Sequence, residues 1–274
     1  MACEGCTFTG RLYTYFPMVN FLRKREALQP FIIFCHARSS SSRLIRTLQQ
    51  HPKIHCAGEI FNKKGDWAQT NYVIPLFGKA QYESDLSPDE FLWEFYKKAA
   101  KHDNKAIVGF KIFIDHQPAN LQRKWILDRR IKKILLSRRN MLQAGLSFQL
   151  ASQTKQYAKR PGKDVELPQP FEVNVKHMRN WIERNNEWLQ ECRELLRASR
   201  QEYYECAYED FNPQVTKEIF EYLGVNPISE FQRYHEKMAQ REHYNRIQNL
   251  DEVRAAFEGA EFGFVDELIG EQVW

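Results

Sequence analysis

The sequence lacks long apolar runs, a cysteine framework and internal repeats. No stretch approaches the roughly 20 consecutive apolar residues that a membrane-spanning helix requires. Residues 1–25 contain no basic region followed by an apolar run, which argues against a secretory signal and predicts a cytoplasmic protein. The six cysteines do not form a disulfide framework, and Cys35 and Cys56, in strand-like runs, are expected to be reduced. A lone Cys3-x-x-Cys6 has no second ligand pair, so we expect no metal.

Two binding signatures are also missing. The pattern GxxxxGK[ST] does not occur, which argues against a P-loop enzyme that hydrolyses ATP or GTP. No recognised basic-aromatic motif for nucleic acid is present, and we expect no nucleic-acid partner. The net charge of +5 and the pI near 8.8 suit any anionic ligand, and they are equally typical of an ordinary basic protein. Charge alone therefore does not identify the ligand.

The sequence does contain enough apolar surface for one large core. With 43% hydrophobic residues, 19 Phe and 12 Tyr, a disordered chain is excluded. We predict an N-terminal extension over residues 1–29 and a single domain over residues 30–274. Predicted strands alternate with helices or loops, which is typical of a parallel α/β sheet flanked by helices. The strands are predicted at residues 31–35, 54–56, 107–114, 131–136 and 203–208, and loops at residues 63–85 and 157–175. A helix is predicted over residues 88–100, after a cap at Ser87.

The first polar segment with chemical potential is residues 38–43, Arg-Ser-Ser-Ser-Ser-Arg. It lies between a predicted buried strand and a predicted helix, where backbone N–H groups and a helix N-terminus can receive a phosphate-like anion. The hydroxyls add donors and the two arginines add charge-assisted ones. A plain polar turn with a serine cap explains the same residues.

Two further polar segments follow predicted strands. Arg139 comes just after the strand at residues 131–136, and Ser147 lies eight positions later. At the carboxyl edge of a parallel sheet, both could face one anion, although a solvated basic face is the simpler reading. Glu59, preceded by Gly58, follows the short strand at residues 54–56. Partial desolvation would raise the pKa of this carboxylate toward that of a useful general base, but a single glutamate on a loop is more often structural or solvated.

Taken together, these segments resemble the PAPS-dependent sulfotransferases, where PAPS is 3′-phosphoadenosine-5′-phosphosulfate. Residues 31–48 look like the family's 5′-phosphosulfate loop, and Arg139…Ser147 matches the spacing of its 3′-phosphate motif. The two motifs occur in order, about 100 residues apart. Other patches look like the bacterial glycan sulfotransferases that act on trehalose or nodulation factors: His51-Pro52…Gly58-Glu59-Ile60-Phe61-Asn62, Arg138-Arg139-Asn140…Gln143-Ala144…Ser147 and Gln153-Thr154. Tyr208-Glu209-Asp210 is similar to the segment whose tyrosine reaches the adenine.

The resemblance implies a P-loop-like sheet and a role for each matching residue. Arg139 and Ser147 would hold the 3′-phosphate, and Tyr208 would meet the adenine. The residues that would grip the 5′-phosphosulfate are Arg38, Ser39, Ser40, Ser41 and Ser42, followed by Arg43. Glu59 matches the base of the glycan-acting branch, whereas His116, 23 residues before Arg139, matches the histidine of the cytosolic small-molecule branch. Both stay candidates for the base.

Two positions depart from the family pattern. Ser40 replaces the loop's usual glycine, so either the backbone takes a different course there or the serine adopts a positive φ. Arg43 replaces the aromatic residue that often follows the loop, so the adenine must stack elsewhere or on the guanidinium plane. The resemblance implies in-line transfer of a sulfuryl group to a hydroxyl, on a carbohydrate or glycolipid, without a metal. The alternatives are an inactive nucleotide-binding module of the same fold and a phosphotransferase that uses ATP.

Overall fold

The computed structural model describes residues 27–63, 66–157, 166–228 and 241–259. The Cys3 and Cys6 pair and most of the predicted extension at residues 1–29 lie outside these ranges. Four cysteines in the described part, Cys35, Cys56, Cys192 and Cys206, are buried and free, which confirms the expectation for the first two. None of the described helices combines the length and apolar character that crossing a membrane requires.

The described strands form one parallel sheet. Its members are β1 (Gln29–Cys35), β2 (Ile54–Cys56), β3 (Ile107–Ile112), β4 (Lys132–Ser137) and β5 (Tyr204–Ala207). They lie in the order β2-β3-β1-β4-β5, and every pairing is parallel. Each crossover between parallel strands needs a long connection, and helices supply it. The predicted α/β class with a parallel sheet is confirmed.

The described ranges contain seven helices of eight residues or more. They are α1 (Ser41–Gln49), α2 (Pro88–Asp103), α3 (Ala119–Leu127), α4 (Met141–Thr154), α5 (Val175–Ala198), α6 (Pro213–Tyr222) and α7 (Leu250–Phe257). Shorter α-helical or π-helical turns cover Asp66–Ala68, Gln69–Val73, Ile74–Phe77 and Arg241–Tyr244, and 3₁₀ turns cover Gln81–Glu83, Ile114–His116 and Tyr208–Asp210. The predicted cap of α2 is confirmed, because Ser87 and Glu90 form a reciprocal capping box.

Strand β1 lies at the centre of the sheet and is buried on both faces. Ile32 and Phe34 pack with α2, α3 and α5, while Phe31 and Ile33 pack with α1 and α6. The alternation follows from the two-residue period of a strand. At the point where β1 meets β3, a Cβ on Gly109 would lie only 2.4 Å from the Phe31 ring. A side chain at position 109 would therefore displace the buried Phe31 ring.

The predicted loop at residues 63–85 is wrong, since helical turns occupy much of the described part of it. Val73 is fully buried, and Phe77 stacks on Phe91 of α2 with ring centroids 4.6 Å apart. This packing against the core orders a segment whose local sequence, with Pro75 and Gly78, resembles a loop.

Candidate active site at the carboxyl edge of the sheet

The polar segments found in the sequence meet at one edge of the sheet. Residues 38–43, which we call the serine turn, follow β1, and Glu59 follows β2. Lys111 lies near the end of β3, Arg138 follows β4 and Tyr208 follows β5. Because all strands are parallel, these positions share the carboxyl edge, where open α/β sheets bind their ligands.

The serine turn has two residues in the left-handed region. Arg38 has φ 68° and Ser40 has φ 62°, so of the two alternatives at Ser40 the structure shows the positive φ. Ser39 is fully buried, and its hydroxyl donates to the His36 carbonyl at 2.8 Å. The Ser40 side chain makes no capping hydrogen bond to α1, so a simple serine cap does not explain the turn. Left-handed residues before a helix turn successive N–H groups to one side, where an anion can accept from them.

Arg38 reaches from this turn to helix α4. Its Nε donates to the Ser147 hydroxyl at 2.9 Å, and its Nη1 donates to the Tyr157 carbonyl at 2.7 Å. Ser147 is itself 8% exposed. Burial and the neighbouring Arg138 lower the pKa of the Arg38 guanidinium. The turn after β1 and the helix after β4 therefore form one continuous surface.

Arg138 lies beside Arg38. Its Nη1 donates to the Arg38 carbonyl at 3.0 Å, its Nη2 donates to the Gln143 side chain, and its guanidinium carbon lies 4.4 Å from the Tyr208 ring centroid. The Nε of Arg138 is buried and has no hydrogen-bond partner among the described residues. We call Arg38, Arg138 and Ser147 the arginine cluster.

The two guanidinium groups of the arginine cluster lie close together, and within the described residues neither is within ion-pair distance of a carboxylate. Burying two like charges side by side is costly unless a counter-charge joins them. The arrangement is therefore that of a site for an anion.

Arg139 adopts a different position from the one the sequence predicts. Its side chain is 60% exposed and binds both carboxylate oxygens of Asp210, at 2.6 and 2.7 Å. Its backbone N–H donates to Glu209 at 3.0 Å. The Ser147 hydroxyl accepts a hydrogen bond from Arg38 and not from Arg139. Of the two consecutive arginines, Arg138 is the one whose side chain points inward. The physical reason is that consecutive residues leaving a strand point to opposite sides.

Glu59 lies at the centre of a second group. Its Oε1 is 3.0 Å from the Nζ of Lys111, and its Oε2 is 3.7 Å from the Nε2 of His116. The Asn62 amide donates to Oε2 at 2.7 Å. The side chains of Lys111 and His116 are each 7% exposed, against 23% for Glu59. We call Glu59, Lys111 and His116 the carboxylate cluster; it unites the two residues predicted as competing bases.

The predicted upward shift of the Glu59 pKa is wrong. Burial, the largest influence, acts to raise the pKa of Glu59. Attraction to Lys111 and His116, with hydrogen bonds from Lys111 and Asn62, outweighs it and holds the pKa below its ordinary value. The sequence shows the flanking apolar residues but not the cation that arrives from another strand. Glu59 is therefore ionised at neutral pH.

His116 is oriented as a donor toward Glu59. The Phe113 backbone N–H donates to its Nδ1 at 3.2 Å, so the neutral ring carries its proton on Nε2, the atom that faces Glu59. Burial lowers the pKa of His116 to about 4, although Glu59 acts in the opposite direction. This assignment favours Glu59 as the proton acceptor and His116 as the residue that holds it.

Lys111 joins the carboxylate cluster to the serine turn. Its Nζ lies 3.2 Å from the hydroxyls of both Ser41 and Ser42, in addition to its contact with Glu59. In the sequence, Lys111 is a single charged residue in a strand whose neighbours are apolar. Lys111 is 6% exposed, and a lysine on a buried strand needs partners. Its single charge among apolar neighbours is the sequence signal by which it can be found.

The remaining predicted residues flank these clusters. The Arg43 guanidinium carbon lies 4.9 Å from the Phe211 ring centroid, and Tyr208 faces Arg138. Among the described side chains, no group of three or more His, Cys, Asp or Glu residues is arranged to hold a metal ion.

Comparison with known proteins shows only a distant structural likeness. No protein-family model matches the chain, and no curated protein matches its sequence. A solved structure, a sulfotransferase from Alicyclobacillus acidocaldarius, is similar with a TM-score of 0.44 and 14% identity, over 88% of this chain and 98% of that chain. A likeness this distant does not carry chemistry from one protein to the other, so the functional interpretation rests on the two clusters.

Proposed function

We propose that this protein is a PAPS-dependent sulfotransferase that moves a sulfuryl group onto a hydroxyl of a carbohydrate or glycolipid acceptor. The observation that carries the proposal is the pairing of an arginine cluster, which forms no ion pair among the described residues, with a half-buried, ionised Glu59, joined through Lys111 and the serine turn. The first part suits a multiply charged donor, and the second suits removal of a hydroxyl proton.

We propose one orientation for the donor. The serine turn receives the 5′-phosphosulfate at the N-terminus of α1, and the arginine cluster receives the 3′-phosphate, with Arg139 at its rim. Tyr208, which already faces a guanidinium, lies on the adenine side. Charge-assisted hydrogen bonds from Arg38 and Arg138 supply the affinity.

The chemistry is an in-line displacement at sulfur. The acceptor oxygen forms a bond to sulfur while the bond between sulfur and the phosphate oxygen breaks, and 3′-phosphoadenosine-5′-phosphate (PAP) leaves. Glu59 takes the hydroxyl proton. Lys111 and the serine turn lie where negative charge grows on the sulfuryl and leaving oxygens, and fixed donors of this kind supply much of the rate enhancement. His116 keeps the Glu59 carboxylate in place.

Calorimetric titration with PAP, ATP with Mg²⁺, and a single-stranded oligonucleotide tests the donor. We expect PAP to bind more tightly than ATP and the oligonucleotide not to bind at physiological salt. Incubation with sulfur-labelled PAPS and an acceptor library then tests transfer. Phosphate transfer from ATP would replace the proposal with a phosphotransferase. PAP binding without transfer to any acceptor would replace it with an inactive nucleotide-binding module.

A further inference from the structure

The strand order determines from which side an acceptor approaches. The arginine cluster lies over β1 and β4, whereas the carboxylate cluster lies over β3 and the end of β2, in the order β2-β3-β1-β4-β5. Given the proposed function, the transferred group lies between the two clusters. The acceptor must then lie beyond Glu59, at the β2 edge of the sheet.

The β2 edge is covered by the helical turns at residues 66–73. The Gln69 amide, 2% exposed, donates to the Ile60 carbonyl at 2.8 Å and so ties these turns to the segment that carries Glu59. A Cβ at position 58 would lie 3.2 Å from the Trp67 ring. Gly58 therefore lets the indole lie directly against the backbone that precedes Glu59.

Trp67 is fixed on one side and open on the other. Its ring meets the Tyr72 edge at a centroid distance of 5.3 Å and an angle of 77°, and the Gln49 amide holds the Tyr72 hydroxyl at 2.6 Å. Even so, Trp67 is 56% exposed. A tryptophan is ordinarily well buried, because its large apolar surface is costly in water. The adjoining turn Gln69–Val73 is π-helical, a distortion often found at functional sites.

We propose that Trp67 is the acceptor platform, against which a pyranose ring of the acceptor lies while one of its hydroxyls meets Glu59. The C–H face of a pyranose is apolar and weakly positive, and it complements the electron-rich face of an indole. A phenol or a steroid needs an enclosed apolar pocket that buries most of its surface. A sugar keeps most hydroxyls in water, so a single open ring beside a carboxylate suits it better.

Saturation-transfer NMR of the full chain with trehalose, cellobiose and chitobiose tests the platform, with 4-nitrophenol as the aromatic probe. We expect the wild type to bind at least one of the sugars. Trp67→Ala should weaken that binding about tenfold, and Trp67→Phe should restore part of it. Trp93→Ala is the matched control, because Trp93 lies on α2 and packs against Arg130. The Trp93→Ala variant should bind the sugar as the wild type does. For any sugar that is sulfated, Trp67→Ala should raise KM and leave kcat nearly unchanged.

The outcomes separate the platform from the proposed function. The platform is overturned if none of the three sugars binds the wild type, if Trp67→Ala binds them equally well, or if only 4-nitrophenol responds to the substitution. Calorimetry with PAP reports on the donor site alone, and PAP affinity should be the same in all these variants. Failure of PAP to bind the wild type would refute the sulfotransferase, whatever Trp67 does.

Discussion

The arginine cluster and the carboxylate cluster lie at the same edge of one sheet, yet they differ in whether their charges are paired. Arg38 and Arg138 lie half-buried side by side, without an ion pair to a carboxylate of the described residues. Glu59 is also half-buried, but its charge is paired with Lys111 at 3.0 Å, and His116 lies 3.7 Å away. In the arginine cluster, an anionic ligand can supply the negative charge that the two guanidinium groups lack. In the carboxylate cluster, the paired Lys111 keeps Glu59 ionised. Binding and chemistry are thus divided between the two ends of the site.

The largest effect should come from removing the base. Glu59→Gln keeps the shape of the side chain and removes its charge, and we expect kcat to fall about 10²- to 10⁴-fold while PAP affinity stays nearly unchanged. Rate measurements with labelled PAPS and calorimetry with PAP check both parts. Asp115→Asn is the control, since Asp115 is an exposed carboxylate that pairs with Arg184. Retained activity in Glu59→Gln, together with its loss in His116→Ala, would assign the base to His116.

Removing Lys111 should affect both clusters, because this residue joins the base to the serine turn. Lys111→Met is expected to lower kcat about 10²- to 10³-fold. It should also raise the pKa of Glu59, because attraction to Lys111 lowers it in the native protein. Activity depends on ionised Glu59, so the acid limb of the pH–rate profile should move to higher pH.

A second buried lysine controls for lost stability in that experiment. Lys133, 1% exposed, binds the Gln201 side chain at 2.6 Å, and Lys133→Met should leave the acid limb where it is. An unmoved acid limb in Lys111→Met would contradict the coupling of Lys111 to Glu59.

A substitution in the arginine cluster should have an effect of intermediate size, on PAP affinity and not on rate. Arg138→Gln should weaken PAP binding about 10- to 100-fold, since hydrogen bonds to charged groups are worth about 1.5–3 kcal/mol. The ligand-free protein should lose little stability, because one of two adjacent like charges is removed. Calorimetry and urea unfolding measure the two quantities. Arg139→Gln is the matched control. If Arg139→Gln lost more PAP affinity than Arg138→Gln, the 3′-phosphate would be assigned to Arg139.

The smallest expected effect concerns the serine turn. Ser40→Gly relieves a left-handed serine at φ 62° and should raise the free energy of unfolding by about 0.5 kcal/mol, the strain relieved less the entropy of a glycine. PAP binding should persist. Ser42→Gly, inside α1, should instead lower stability by about 0.5–1 kcal/mol. Equal effects of the two substitutions would show that the turn is not strained at Ser40.

Local pattern predicted most of the scaffold. Continuous apolar runs such as residues 31–35 placed the buried strands, and the Ser87 cap placed the start of α2. The segment at residues 63–85 was missed because its order comes from contacts such as Phe77 on Phe91, which no short window of sequence contains.

The sequence by itself determined the order of strands and helices, the polar turn at residues 38–43, and the residue types available at the carboxyl edge. Only the tertiary structure decided their pairing: Arg38 with Ser147, 109 residues apart, Arg138 inward with Arg139 outward, and Lys111 between Ser41 and Glu59. The physical reason is that backbone conformation follows from neighbours along the chain. A side chain's direction and its pKa instead depend on charges and donors that arrive from other strands.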